Sequence, residues 1–178
     1  MISRFIRTLA VPFSLFVRIH LWLLLLCGAA FAQDTTVSLL VNATDAPRNI
    51  LHARLHVPAQ PGPLTLVYPK WIPGEHGPTG PIIDLVGLKM SVPGQSIAWQ
   101  RDADDMFAFH LVVPAEADAV DVALDFLLPP NSGEFSSGAS ATAQLLDLNW
   151  NQVLLYPKGS KPGELQYRAD LILPDGWK

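Results

Sequence analysis

Val120-Asp121-Val122-Ala123-Leu124-Asp125-Phe126-Leu127-Leu128 is the stretch that decides the fold. Val120, Val122, Leu124, Phe126 and Leu128 alternate with Asp121, Ala123 and Asp125. Successive side chains on a strand point to opposite faces, so a period of two writes one apolar face and one polar face. A helix, with about 3.6 residues per turn, would mix the two kinds on every side.

Working outward, the same alternation returns along the chain. Towards the N-terminus, Val37, Leu39, Val41 and Ala43 alternate with Ser38, Leu40 and Asn42, and Leu51, Ala53, Leu55 and Val57 alternate with His52, Arg54 and His56. Val86, Leu88, Met90 and Val92 alternate with Gly87, Lys89 and Ser91, and Phe107, Phe109, Leu111 and Val113 alternate with Ala108 and His110. Near the C-terminus, Leu165, Tyr167, Ala169, Leu171 and Leu173 alternate with Gln166, Arg168 and Asp170. Each run predicts a half-buried strand. Further strands are expected at 64–69, at 95–101 and at about 143–155. Phe107, Phe109, Leu124 and Phe126 are the expected centre of the core.

Turn chemistry separates the runs. Pro93-Gly94 suits the two central positions of a type II turn. Seven prolines fall from Pro58 to Pro81, which predicts a rigid, extended loop system there. Residues 158–163 hold two glycines and a proline, and residues 131–140, rich in Gly and Ser, are expected to form a mobile loop. Sixteen prolines and twelve glycines in 178 residues argue against a helical bundle. The expectation is therefore all-β: two antiparallel sheets packed as a sandwich, or one curved, saddle-like sheet.

The first 32 residues are expected to lie outside that fold. Arg4, Arg7 and Arg18 form a basic start, residues 19–30 are almost wholly apolar, and Ala30-Phe31-Ala32 ends the segment. This is the pattern of a secretory signal peptide cleaved before Gln33. A retained anchor is the alternative, although the apolar run is shorter than the ~20 residues of a spanning helix. Cys27, the one cysteine, follows Leu26 where a lipobox has a small residue. The mature chain, residues 33–178, then has no thiol for a disulfide or a metal. Such a chain suits export to the bacterial periplasm or medium, with no stable membrane span after cleavage.

Cleavage removes three of the twelve basic residues and none of the sixteen acidic ones, leaving a net charge of −7. No basic run survives, so nucleic acid is not an expected partner. No H-E-x-x-H, no G-x-S-x-G, no P-loop and no glycine-rich dinucleotide turn occurs. No catalytic residue and no metal ligand is therefore assigned in this chain. His52 and His56 share a strand face but stand ~13 Å apart, too far for one ion with ~2 Å bonds. They and His110 are expected to face solvent.

The segment with the most unusual composition is Tyr68-Pro69-Lys70-Trp71-Ile72-Pro73-Gly74-Glu75-His76-Gly77-Pro78-Thr79-Gly80-Pro81-Ile82. Four prolines and three glycines constrain these fifteen residues. Two readings stand side by side. Either Trp71 plugs the core and the segment is a stiff connection, or it is a preorganised surface loop at a ligand cleft, presenting Trp71, Gly74, Glu75 and His76.

That segment resembles the N-terminal domain of the glycyl aminopeptidase family, metallopeptidase family M sixty-one, whose members often carry a PDZ domain. Trp71, Pro73 and Gly74 match its Trp-x-Pro-Gly core. Ala43-Thr44-Asp45-Ala46-Pro47, Leu148-Asn149-Trp150-Asn151 and Leu173-Pro174-Asp175-Gly176-Trp177 are also similar to the family, so the resemblance spans residues 36–178. It implies a non-catalytic β-rich domain that packs on a zinc-dependent catalytic domain and helps form its peptide-substrate cleft. The zinc, its ligands and the general base would belong to that catalytic domain, absent from these residues and expected to follow them. Many relatives have Gly-Ser-Tyr in place of Gly74-Glu75-His76, so the resemblance gives no role to Glu75 or His76. The alternative is a stand-alone extracellular module that binds peptide or glycan through the Trp71 loop.

Overall fold

A computed structural model describes residues 36–178, except 73, 129–137, 162 and 164. The expected signal segment and most of the expected 131–140 loop lie outside the described residues. The described chain forms twelve strands and three short 3-10 turns. Among the described residues no helix is long and apolar enough to cross a membrane.

The long alternating runs become the long strands. These are β1 (Thr36–Asn42), β2 (Ile50–Pro58), β4 (Leu85–Val92), β7 (Ala108–Val113) and β8 (Ala119–Leu127). The rest are β3 (Gly62–Val67), β5 (Gln95–Ile97), β6 (Trp99–Arg101), β9 (Ser140–Ala141), β10 (Leu146–Asp147), β11 (Tyr156–Pro157) and β12 (Gln166–Ile172). One sheet has six strands in the order β12-β1-β2-β8-β4-β5, a second has four in the order β11-β3-β7-β6, and β9 and β10 pair by themselves.

The core lies between the two larger sheets. Leu39, Leu55, Val122, Leu124 and Phe126 from the first meet Leu66, Phe109, Leu111 and Val113 from the second in one buried cluster. Phe107 joins it, so the four residues expected at the centre are all buried. Trp99 packs edge-on against Phe109 with ring centroids 5.4 Å apart, a favourable aromatic geometry. The fold is all-β, as the alternation predicts.

Four departures from the sequence reading have local causes. The phase of β4 reverses: Leu85 is buried and Val86 exposed, because the pairing with β8 shifts between Val86 and Lys89. An extra residue at a bulge swaps inside for outside, and Gly87 supplies the left-handed φ of 64° found there. The single strand expected at 95–101 divides at Ala98; β5 pairs with β4 in the large sheet and β6 with β7 in the small one. A bend of this kind carries a chain round the corner of a sandwich.

The C-terminal run does form a strand, but β12 pairs parallel to β1, a departure from a wholly antiparallel arrangement. Leu171 and Ile172 are exposed, and of its side chains only Tyr167 packs against the core. β12 is an edge strand, and alternation alone does not say whether anything lies beneath the apolar side. The strand expected at about 143–155 is mostly irregular, with the short β10 and a 3-10 turn at Trp150–Gln152. Gln152 in this stretch serves other partners: its backbone carbonyl accepts the buried Tyr68 hydroxyl at 2.9 Å, and its side-chain Oε1 accepts the Ala139 N–H at 3.0 Å.

Candidate functional site

The Pro/Gly-rich segment leaves the four-stranded sheet at β3 and enters the six-stranded sheet at β4, and its two ends are fixed. Tyr68 is fully buried, and burial holds its phenol well above the usual tyrosine range. Lys70 Nζ donates to Asp105 Oδ2 at 2.6 Å and lies 5.5 Å from the centre of the Phe107 ring. The lysine hydrogen bond is the main cause holding the Asp105 carboxyl below its usual range. The Gly80 N–H donates to the Lys70 carbonyl at 2.8 Å, closing residues 70–80 at their base. A Cβ on Gly80 would collide with the Pro69 carbonyl oxygen and stand 2.9 Å from Lys70 Cα. Only glycine permits the two arms to meet this closely.

At the loop tip the Glu75 N–H donates to the Ile72 carbonyl at 3.0 Å, and Gly74 has φ 90°. That is the φ required at the third position of a type II turn.

The four candidate residues therefore share one closed loop. Trp71 is 65% exposed, which overturns the reading of Trp71 as a core plug. Gly74 and His76 are exposed and Glu75 is half-buried. The structure does not join the Glu75 and His76 side chains to each other, nor either to a described partner. Lys70, Asp105 and Gly80, which set the loop's position, escape a sequence reading. The Lys70–Asp105 pairing spans 35 residues and depends on strand register.

The three strand histidines face outward as expected, but each meets an acid. His56 Nδ1 lies 2.8 Å from Asp121 Oδ1. His110 Nε2 meets Asp102 Oδ2 at 2.7 Å while its Nδ1 meets Thr65 Oγ1 at 2.9 Å. Asp102 Oδ1 also accepts the N–H groups of Asp104 and Asp105. The Asp105 N–H is the largest cause holding Asp102 far below its usual range, followed by His110. This hydroxyl–imidazole–carboxylate chain ties β3, β7 and the 102–105 turn together. Among the described residues no group of three or more His, Cys, Asp or Glu side chains converges as a metal site.

His52 is held from both sides, Nδ1 by Asp125 at 2.7 Å and Nε2 by Asp45 at 3.1 Å. Two carboxylates accept from both ring nitrogens only when the ring is doubly protonated. Its pKa is accordingly raised above 6.5, first by Asp125 and then by Asp45. A raised folded-state pKa contributes stability that is complete below the unfolded value of 6.5 and lost as pH climbs through the folded value. His52→Gln should therefore lower the melting temperature most at about pH 5 and least at about pH 9. Melting curves of both proteins across that range provide the check; a difference that grows with pH contradicts the clamp.

Two packed sheets and one braced, projecting loop define an all-β domain with a preorganised surface element. The chain belongs to the Peptidase M61 N-terminal domain family, whose model matches residues 38–178. Among solved structures, it is similar to an aminopeptidase N family protein from Idiomarina loihiensis, with a TM-score of 0.65 and 16% identity. That alignment covers 78% of this chain and 22% of the other, so this chain spans less than a quarter of that protein. At this identity the likeness establishes the fold. No curated protein matches the chain in sequence.

Proposed function

We propose that this chain is the non-catalytic N-terminal domain of an exported zinc aminopeptidase, with residues 1–32 as its cleaved leader. Residues 33–178 pack on the catalytic domain, and the loop at 70–80 borders the substrate cleft. The observation that carries the reading is the match of residues 38–178 to the N-terminal domain of a peptidase family. Zinc, its ligands and the general base are assigned to the catalytic domain, and the protein to the periplasm or the medium.

The loop suits the role physically. It is closed at the base by the Gly80–Lys70 hydrogen bond and braced by the Lys70–Asp105 ion pair. A wall already ordered loses little entropy when a short peptide settles against it. Trp71 offers an exposed aromatic face, and Glu75 offers a carboxylate for the peptide's N-terminal ammonium, the group an aminopeptidase must recognise.

In the intact parent enzyme, Glu75→Gln should lower kcat/KM about tenfold. The melting temperature should hardly move, because the Glu75 side chain has no described partner to lose. Steady-state kinetics on an unblocked dipeptide, set beside melting curves, tests this. Unchanged kinetics, together with a Trp71→Ala variant that is only less stable, would remove the loop from the cleft.

A further inference from the structure

On the outer face of the six-stranded sheet, two cations without a partner among the described residues flank one small side chain. Arg54 on β2 and Lys89 on β4 are both exposed. Both are register partners of the same residue, Ala123 on the intervening strand β8. Neither makes a hydrogen bond or an ion pair to the described residues. Their nearest acidic neighbours across the strands are engaged elsewhere. Asp121 lies 2.8 Å from His56 Nδ1, and Asp125 lies 2.7 Å from His52 Nδ1. Each contact turns one oxygen of its carboxylate, Oδ1, towards a histidine and not towards the guanidinium or the ammonium.

With strands ~4.8 Å apart, the Arg54 and Lys89 backbones stand ~10 Å apart on either side of a methyl group. Two long cationic side chains flanking a small residue leave a notch between them. The notch opens in a hollow of about 710 Å³ whose lining includes Leu40, Arg54, Lys89, Asp121, Ala123 and Asp170. Leu40 adds an exposed apolar side chain beside Arg54. Asp170, the partner of Leu40 on β12, places a negative charge at the far side.

We propose that this hollow binds a short peptide through one acidic side chain, whose carboxylate sits over Ala123 between Arg54 and Lys89. Charge complementarity selects the carboxylate. Size selects the peptide: the hollow has the volume of a small-molecule site, several times that of an inorganic anion. Leu40 receives an apolar residue next to the acid, and Asp170 disfavours a second carboxylate on that side. The chain's net charge of −4 gives anions no general attraction, so affinity must come from this local pair. The inference is independent of the peptidase reading and of the loop at 70–80.

The test is a titration of the full chain with acetylated, amidated Leu-Glu-Ala and its Leu-Gln-Ala counterpart, followed by calorimetry at low salt. The Glu peptide should bind about tenfold more tightly than the Gln peptide. The Arg54→Gln/Lys89→Gln double variant should lose that preference while melting like the parent, since neither side chain has a hydrogen bond or ion pair among the described residues to forfeit. Inorganic phosphate should compete far less well than the Glu peptide. Equal binding of the two peptides overturns the proposal, as does a preference that survives in the double variant. Phosphate competing as well as the peptide also overturns it, because the notch would then be a simple anion site.

Discussion

Phe109→Ala should cost about 3–5 kcal/mol of folding stability. Phe109 is fully buried and sits where the two sheets share their core. It pairs with Leu66 on β3 and Arg101 on β6, so its ring joins three strands. Truncation removes the edge contact with Trp99 and the ring beneath the Arg101 guanidinium, 5.2 Å from the ring centre. It also leaves a cavity that strands held by their ladders cannot collapse to fill. Domains of this size have only ~5–15 kcal/mol in hand, so the variant should unfold at a much lower urea midpoint. A loss below ~1 kcal/mol would mean that the two sheets do not close over Phe109.

Gly80→Ala should have the second-largest effect, and its origin is different. The new methyl group meets backbone, the Pro69 carbonyl and Lys70 Cα, so no side chain can rotate away. The Gly80–Lys70 hydrogen bond must lengthen or break, and the loop loses its closed base. Overpacking of this kind costs ~1–3 kcal/mol. Amide exchange across residues 70–80 should accelerate together with the drop in melting temperature. Gly74→Ala is the control, since nothing lies within 4 Å of its added Cβ and only the φ of 90° is strained. If Gly80→Ala melts with the parent and exchanges as slowly, the two arms of the loop are not held together as described.

The sequence made the long strands legible where burial depends on one neighbouring sheet. β1 and β2 alternate throughout, and β7 and β8 after their first residue, because each lies flat over the shared core. Legibility failed where pairing, not patterning, decides. The bulge at Gly87 turned Val86 outward, and a bulge is visible only once β8 is in register beside β4. β12 carries the same apolar alternation as β1, but position at the sheet edge leaves it exposed. The irregular 143–155 stretch answers to Tyr68, far away in sequence.

The candidate site divides along the same line. Pro/Gly density marked residues 68–82 as a rigid segment, and the structure places Trp71 on its surface. The bracing by Asp105 needs β3 and β7 to be neighbours before Lys70 can find it. The His52–Asp125 and His56–Asp121 contacts are cross-strand pairs in the same way. An outward histidine is readable from phase, whereas the acid opposite it is not. Arg54 and Lys89 come together over Ala123 by register alone, so no motif in the chain announces them.

The parallel pairing of β1 with β12 has a mechanical consequence. The strands are in register over seven residues, from Thr36 beside Gln166 to Asn42 beside Ile172. The backbone enters the pair at Thr36 and leaves it at Ile172, at opposite ends. Tension applied at those two points drags one strand along the other instead of prising them apart. The ladder hydrogen bonds then share the load and must yield together, whereas a hairpin pulled at its open end yields one bond at a time. Strung between two anchored neighbours, the domain would transmit force as a stiff link, and its resistance would reside in the strand whose side chains are least buried.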